Sequence, residues 1–429
     1  MRHLSLLFTL TLLLLAACSG QADLQPTDTP PQPATQPAPT TAPPTAVPTL
    51  PGPVVNTGDS NTNTDTPTSP TAVPTTARPP LRDGAHFYSP EYGIQAFLWW
   101  RPDIAQRDVA LVEEMGFGWI KQSFSWRDIE TLEKGSYDWY RPDLIVDMVN
   151  DAGLNLLVRI DRQPFWSQPE GTQPAENQPP EDLTDFADFC RVLAERYRGR
   201  IQAYQVWNEP NLSREWGGQV PNPAEYTQLL KVCYEAIKSV DPEAIIISAG
   251  LAPTGTQPPI AMPDTDFLQG MYDAGAANYF DVLGLNAPGY KAPPETSPEE
   301  AANTPEYGSA PWFVFRHVET MRDIMVQNGD ADKQVAILEM GWTLDNVNPD
   351  YAWFAVDEAT QAEYLARAYK YAYENWTPWI GLMSAIYIAD YDWTAETHEQ
   401  YWWSVVLPDG TPRQAYYSLQ EMPKPSVAP

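Results

Sequence analysis

Two glutamates in this chain carry the strongest chemical signal, because each follows a predicted strand and each lies close to a tryptophan. Residues 207–210 read Trp-Asn-Glu-Pro and contain Glu209, and residues 339–342 read Glu-Met-Gly-Trp and begin with Glu339. A neutral carboxyl group donates a proton, whereas an ionised one attacks an electrophile or accepts a proton. Two carboxyls in different surroundings can therefore hold different protonation states at one pH.

This pair of roles is what the hydrolysis of a glycosidic bond requires. One carboxyl donates a proton to the leaving oxygen, and the other attacks the anomeric carbon of the sugar. The competing interpretation is that acids at strand ends are solvated or paired with basic side chains. That interpretation explains one such glutamate more readily than it explains two, each with a tryptophan nearby.

The elements that must position these glutamates alternate between strand and helix along the chain. Alternation predicts an α/β fold with a parallel sheet and external helices, and eight repeats indicate a (β/α)₈ TIM barrel. An open doubly wound sheet is the alternative, but its glycine-rich phosphate turn after the first strand is missing from the sequence. In a barrel, Glu209 and Glu339 share the rim at the carboxyl ends of the strands. The predicted strands are residues 93–97, 119–122, 154–160, 201–207, 244–249, 280–285, 334–338 and 380–388.

The two motifs together resemble the clan A retaining glycoside hydrolases. Trp-Asn-Glu-Pro closing the fourth strand and Glu-x-Gly-Trp closing the seventh are most similar to the family 39 and family 5 type, the cellulase-like glycosidases. The resemblance implies that Glu209 is the general acid/base and Glu339 the nucleophile of a retaining β-glycosidase. It also implies that Asn208 binds the hydroxyl beside the anomeric carbon, with the two carboxyls about 5–5.5 Å apart.

Two positions depart from that pattern. The clan usually has an arginine near the end of strand two, where this chain has Lys121, and a histidine after strand six, where it has Asn286. Lysine lacks the planar fork of arginine. Tyr290, four residues after Asn286, could still reach the nucleophile and is a candidate for substrate binding. These departures leave the reaction class in place and bear on the choice of sugar.

Further side chains near strand ends are candidates for substrate binding. Arg159 and Asp161 share one face of the third strand, and they either contact a sugar or form a structural ion pair. Aromatic rings stack on the apolar faces of sugars. We expect Trp393, after strand eight, to form the floor of the subsite at the cleaved bond, with Trp126 and Trp166 as weaker candidates.

Two cysteines lie on successive predicted helices. Cys190 and Cys233 could form a disulfide in an exported protein, but two buried free thiols are the favoured interpretation. The chain has three cysteines and four histidines in all, so we expect no catalytic metal and no cofactor.

Charge limits the partners of the protein. The 429 residues carry a formal charge of −30, which argues against binding to nucleic acid, to anionic membrane surfaces and to acidic substrates. The expected substrate is therefore a neutral polysaccharide or oligosaccharide.

The amino-terminal sequence predicts an export signal followed by a linker. Residues 1–18 combine a basic start, a short apolar run and Leu-Ala-Ala-Cys, which looks like a bacterial lipobox that is cleaved before Cys18 and lipidated on it. Residues 19–80 are rich in proline and threonine and predict a disordered linker. Residues 81–429 form the predicted catalytic domain, exported and anchored by lipid to the outer face of a bacterial membrane. The alternative from another functional class is a non-catalytic sugar-binding surface lipoprotein.

Overall fold

The computed structural model describes residues 86–168, 175 and 177–424. Eight parallel strands pair in chain order, and the first also pairs with the last, so that they close a barrel. The predicted (β/α)₈ fold is therefore confirmed. The strands are β1 (Glu91–Gln95), β2 (Trp119–Ser125), β3 (Asn155–Asp161), β4 (Ala203–Val206), β5 (Ile245–Ile247), β6 (Val282–Asn286), β7 (Gln334–Met340) and β8 (Ile380–Ala385).

Helices occupy the connections between successive strands. The described residues contain eleven helices, and three short ones were not predicted. The other eight correspond to the helices that the sequence pattern predicts, over 103–115, 142–152, 182–197, 223–240, 267–274, 312–328, 357–375 and 413–422. The helices are α1 (Pro102–Met115), α2 (Trp126–Ile129), α3 (Tyr140–Asp151), α4 (Leu183–Arg196), α5 (Pro223–Val240), α6 (Asp264–Asp273), α7 (Pro298–Asn303), α8 (His317–Gln327), α9 (Pro349–Ala352), α10 (Glu358–Trp376) and α11 (Gln414–Glu421).

Helix α5 shows how local sequence fixes these elements. The side chain of Asn222 accepts hydrogen bonds from the amides of Ala224 and Glu225, and Pro223 occupies the first helical turn, where its missing N–H costs nothing. Leu229, Leu230 and other apolar residues form one buried face of the helix. Capping and periodicity agree here, which explains why the predicted bounds of this helix match the structure.

The apolar core has two layers, as expected for a barrel. Inward-facing side chains of the strands fill the interior, including Trp119, Leu157, Ala203 and Leu338. A larger cluster packs between the strands and the surrounding helices. The interior layer lies below the rim and leaves the carboxyl ends of the strands available for polar side chains.

A disulfide joins Cys190 of α4 to Cys233 of α5. The expectation of two free thiols is therefore wrong. Both cysteines are apolar-face residues of neighbouring helices that pack together, and this packing brings the two sulfurs within bonding distance. Helical periodicity predicts that each cysteine is buried, but it does not reveal that the two face each other.

The predicted signal segment 1–18 with Cys18, and the predicted linker 19–80, lie outside the described residues. Within the described part of the chain, no helix has the length and apolarity needed to cross a membrane.

Candidate active site

Glu209 lies just beyond β4, on a backbone that leaves regular strand geometry. Trp207 and Glu209 have φ angles of 73° and 36°, a left-handed conformation that is uncommon outside glycine and clusters at functional sites. The turn is held by its neighbours, since the Trp207 indole donates to the carbonyl of Glu215 at 2.9 Å and the Glu209 amide donates to the carbonyl of Gly250 at 3.2 Å. This turn buries the Trp207 ring among the outer core residues and places the Glu209 carboxyl in the cleft.

The Glu209 carboxyl has a defined partner on each oxygen. Asn286 Nδ2 donates to Oε1 at 2.9 Å, and Arg214 donates to Oε2 at 2.9 Å. Burial raises the pKa of Glu209 to about 8, and the nearby carboxylates of Glu339 and Glu215 also raise it, while Arg214 and Asn286 oppose the rise. Glu209 is thus suited to carry a transferable proton near neutral pH.

Asn286 reaches Glu209 because Gly250 leaves room for it. A Cβ atom on Gly250 would lie 2.3 Å from Asn286 Oδ1, closer than side chains tolerate. Asn286 also pairs in strand register with Glu339. One residue of β6 therefore contacts the acid/base candidate through its side chain and lies beside the nucleophile candidate on the sheet.

Glu339 owes its position to an irregularity in β7. Leu338 points into the barrel interior, so regular alternation would turn Glu339 away from it. The pairing of β7 shifts by one residue against β6, between Leu285 and Asn286, and shifts again against β8. A bulge of this kind re-aims a side chain, and such bulges are common beside active sites. Here the Glu339 side chain lines the same cavity as Glu209.

Two cations face the Glu339 carboxylate. Lys121 Nζ donates to Glu339 Oε1 at 2.9 Å and to the carbonyl of Leu338 at 3.2 Å. Arg159 approaches the same oxygen at 3.6 Å and forms an ion pair with Asp161 at 2.7 Å. Lys121 thus contacts the nucleophile candidate. Arg159 and Asp161 are a buried ion pair that also borders the site.

A cavity opens between these side chains at the carboxyl end of the barrel. It contains about 460 Å³ of empty space, including its open mouth. Both candidate catalytic carboxyls and the amide of Asn286 line it. The other lining residues are Leu212, Ala252, Pro253, Pro288, Ile386, Glu399 and Trp403.

Asn208 is almost fully buried next to Glu209. Its Oδ1 atom has no hydrogen-bond partner among the described residues. A buried amide oxygen without a partner costs free energy unless something else binds it. The predicted role of Asn208, a hydrogen bond to a sugar hydroxyl, would supply that partner and stays a prediction.

The aromatic candidates separate into different environments. Trp126 is fully buried and packs against Phe186 and Phe189 in the outer core. Its predicted contact with substrate is therefore wrong. Trp166 packs edge-on against Trp126 and donates to the carbonyl of Glu130. A position after a strand does not distinguish a tryptophan of the core from one that contacts substrate.

Trp393 and Tyr290 belong to one aromatic cluster behind the cavity. Trp393 packs against Phe97 and Tyr387, and the neighbouring Trp403 of this cluster is the tryptophan that lines the cavity. The Tyr290 hydroxyl donates to the carbonyl of Pro253 at 3.4 Å, and within the described part of the chain it forms no hydrogen bond with Glu339. Its expected contact with the nucleophile is therefore replaced by a backbone contact in this structure.

Two functional candidates escaped the sequence analysis. Arg214, in the short helix Ser213–Trp216, binds Glu209, and Glu399, in the short helix Glu399–Trp402, adds a third carboxyl to the cavity. Burial raises the pKa of Glu399 to about 8. Arg214 follows the Trp-Asn-Glu-Pro motif closely enough to have been considered, whereas nothing local marks Glu399. Among the described residues, no group of three or more His, Cys, Asp or Glu side chains could hold a metal ion.

Comparisons with known proteins agree with this architecture. A family model described as Cellulase (glycosyl hydrolase family 5) matches residues 82–273, a segment that contains Glu209 and ends before Glu339. A β-xylosidase from Geobacillus stearothermophilus is 28% identical over 196 residues, which is 44% of this chain and 36% of the relative. The chain thus matches about a third of that relative's length.

Solved structures show the same fold at low sequence identity. A GH5_18 protein from Streptomyces cattleya has a TM-score of 0.57 at 14% identity, over 78% of this chain and 80% of that one. A family 39 glycoside hydrolase from Bacteroides cellulosilyticus has 0.54 at 18%, over 77% and 62%. Xylanase 10B from Thermotoga maritima has 0.52 at 16%, over 79% and 95%. By its fold this chain is a TIM-barrel protein, and its residues 82–273 are similar to the Cellulase (glycosyl hydrolase family 5) model.

Proposed function

We propose that the protein is a retaining β-glycosidase that acts on a neutral glycan, with Glu209 as acid/base and Glu339 as nucleophile. The observation that carries the proposal is the asymmetric carboxyl pair in one cavity. Burial favours the proton on Glu209, whereas Lys121 and Arg159 place two cations against Glu339. Such a difference in protonation between two neighbouring carboxyls indicates which one is the acid and which one is the nucleophile.

The cycle that we propose has two displacement steps. Glu339 first attacks the anomeric carbon, the bond to the leaving oxygen breaks, and Glu209 gives that oxygen its proton. Water then attacks the same carbon and loses a proton to Glu209, and the bond to Glu339 breaks to release the sugar. Asn208 would bind the hydroxyl beside the anomeric carbon, a contact that strengthens in the transition state.

The substrate class follows from charge and from similarity. The protein carries a formal charge of −30, so a uronic acid would meet like charge on approach. The similarity to a β-xylosidase makes neutral β-xylosides the first substrates to test. Trp403 and the apolar residues beside it are available to pack against a sugar ring.

We also propose that the enzyme acts outside the cell, held to a bacterial membrane by lipid on Cys18. The lipobox-like sequence before Cys18 and the proline-rich residues 19–80 support this proposal. The catalytic domain, residues 81–429, would then be joined to the lipid through residues 19–80.

A sugar-binding lipoprotein without turnover is the competing function. It was suggested by Lys121 and Asn286, which replace residues usual in the clan. Because Lys121 contacts Glu339 and Asn286 contacts Glu209, both replacements keep a hydrogen bond to a candidate catalytic carboxyl. This favours the catalytic proposal.

Hydrolysis of a panel of aryl β-glycosides and plant polysaccharides by the full chain tests the proposal. Glu209→Gln and Glu339→Gln should each lower kcat/KM on an unactivated substrate by about a hundredfold or more. Glu243→Gln, an exposed glutamate after α5, is the matched control and should match the parent. A parent that binds a glycan but hydrolyses none would contradict the proposal and support the sugar-binding alternative.

A further inference from the structure

Arg214 contacts the acid/base candidate from the rim of the cleft. Its guanidinium donates to Glu209 Oε2 at 2.9 Å, and its Nε lies 3.6 Å from Glu215 Oε1. The Arg214 side chain is 35% exposed, whereas that of Glu209 is 5% exposed. The partly exposed guanidinium of Arg214 therefore places a positive charge against the buried carboxyl of Glu209.

The other surroundings of Glu209 mostly favour its neutral form. Burial and the carboxylates of Glu339 in β7 and Glu215 in the helix Ser213–Trp216 all raise the pKa of Glu209. Tyr290 also faces Glu209, and its own pKa is raised well above the ordinary value by burial, so its hydroxyl stays neutral. Arg214, through its full charge, and Asn286, through its amide dipole, lower the pKa of Glu209.

The other charged side chains near Glu209 are directed at other groups. Lys121 of β2 and Arg159 of β3 are directed at Glu339. Glu399 interacts electrostatically with both Arg214 and Glu339. Among the described residues, Arg214 is thus the cation that touches Glu209 directly.

The second half of the proposed cycle makes a specific demand on Glu209. As water attacks the anomeric carbon and the bond to Glu339 breaks, the proton of the water must pass to an ionised Glu209. Esterification of Glu339 removes one nearby negative charge, but burial and Glu215 still oppose ionisation. A group that stabilises the Glu209 carboxylate therefore speeds this step.

We propose that Arg214 is a positioning residue for the second half-reaction, in which its guanidinium holds Glu209 in the ionised form that activates water. This inference rests on the proposed function. It adds a role for a side chain outside the Trp-Asn-Glu-Pro and Glu-x-Gly-Trp motifs.

The test compares Arg214→Gln and Arg214→Lys in the full chain, using a 2,4-dinitrophenyl β-glycoside. Its leaving group needs little acid assistance, so breakdown of the glycosyl-enzyme limits the rate. We expect Arg214→Gln to lower kcat at pH 7 by about tenfold, which corresponds to one pKa unit, and to accumulate a glycosyl-enzyme visible by intact mass. Arg214→Lys keeps the charge and should retain most of the parent's kcat.

Azide separates this role from a structural one. The azide anion attacks the anomeric carbon without a base, so it should restore turnover of Arg214→Gln and yield a β-glycosyl azide. Arg367→Gln is the matched control, because Arg367 is similarly exposed at 37% and pairs with Glu295 and Glu363 away from the cavity. This control should show neither accumulation nor azide rescue.

A titration of the free protein provides a readout that does not need turnover. With ¹³C-labelled glutamate carboxyls, the Glu209 signal is the one missing from Glu209→Gln, and it should titrate about one unit higher in Arg214→Gln. An unchanged titration, or a parent-like kcat without accumulation, would overturn the inference while leaving a hydrolysing parent enzyme intact. A parent that hydrolyses nothing would instead overturn the proposed function.

Discussion

At the scale of single residues, the site depends on two glutamate side chains whose surroundings favour different protonation states. Glu209 is buried beside other carboxyls, and Glu339 faces Lys121 and Arg159. The distinction lies in the neighbours contributed by other strands. The sequence motif identifies both glutamates, but the protonation state of each depends on residues distant in the chain.

The raised pKa of Glu209 predicts the alkaline side of the activity profile. Glu209 must be protonated in the free enzyme to act as the acid, and its pKa is about 8. We therefore expect kcat/KM on an unactivated substrate to hold below pH 8 and to fall as the pH rises through 8. Initial rates between pH 5 and 10 measure this, and a decline already complete by about pH 6 would contradict it.

The Lys121–Glu339 pair predicts a coupling in stability. Both side chains are buried, so Lys121→Met removes the nearer of the two cations from the Glu339 carboxylate and should lower the free energy of unfolding by about 3 kcal/mol. In Lys121→Met/Glu339→Gln the second change removes that charge, so the double variant should be more stable than Lys121→Met alone. Urea unfolding of the parent, Lys121→Met, Glu339→Gln and the double variant gives the coupling energy between the two side chains. Strict additivity of the two changes would show that the pair does not act as a unit.

At the scale of elements, alternation and the carboxyl-end rule were sufficient to predict the barrel and to place both glutamates on one rim. They could not predict the bulge in β7 that turns Glu339 inward, because a strand pattern carries no signal for a one-residue shift of pairing. Nor did they point to Arg214 and Glu399, which lie in the short helices Ser213–Trp216 and Glu399–Trp402 and not at strand ends. Trp126 was misassigned because core and substrate-facing tryptophans look alike in sequence.

The disulfide between α4 and α5 predicts a measurable contribution to stability. It closes a segment with a sequence separation of 43, for which chain entropy suggests about 4 kcal/mol. We expect Cys190→Ala/Cys233→Ala to unfold at lower urea than the oxidised parent, and reductant to bring the parent toward the double variant. Equal midpoints for the oxidised parent and the double variant would contradict a stabilising disulfide.

At the scale of the whole molecule, an acidic barrel joined to a proline-rich amino terminus fits an enzyme that meets neutral glycans outside the cell. We expect the formal charge of −30 to disfavour the binding of nucleic acid, anionic lipid and uronic acids. We propose that residues 19–80 and Cys18 determine where the enzyme acts, and that the cavity between β4 and β7 determines its reaction.

The central claim is that Glu209 and Glu339 act together in a retaining reaction, and the anomer released first tests it most directly. Proton NMR during hydrolysis of a β-glycoside by the full chain resolves the two anomers before they interconvert. The account predicts that the β-anomer appears first and that the α-anomer follows through mutarotation. Initial release of the α-anomer would show inversion and would contradict the assignment of Glu339 as a nucleophile.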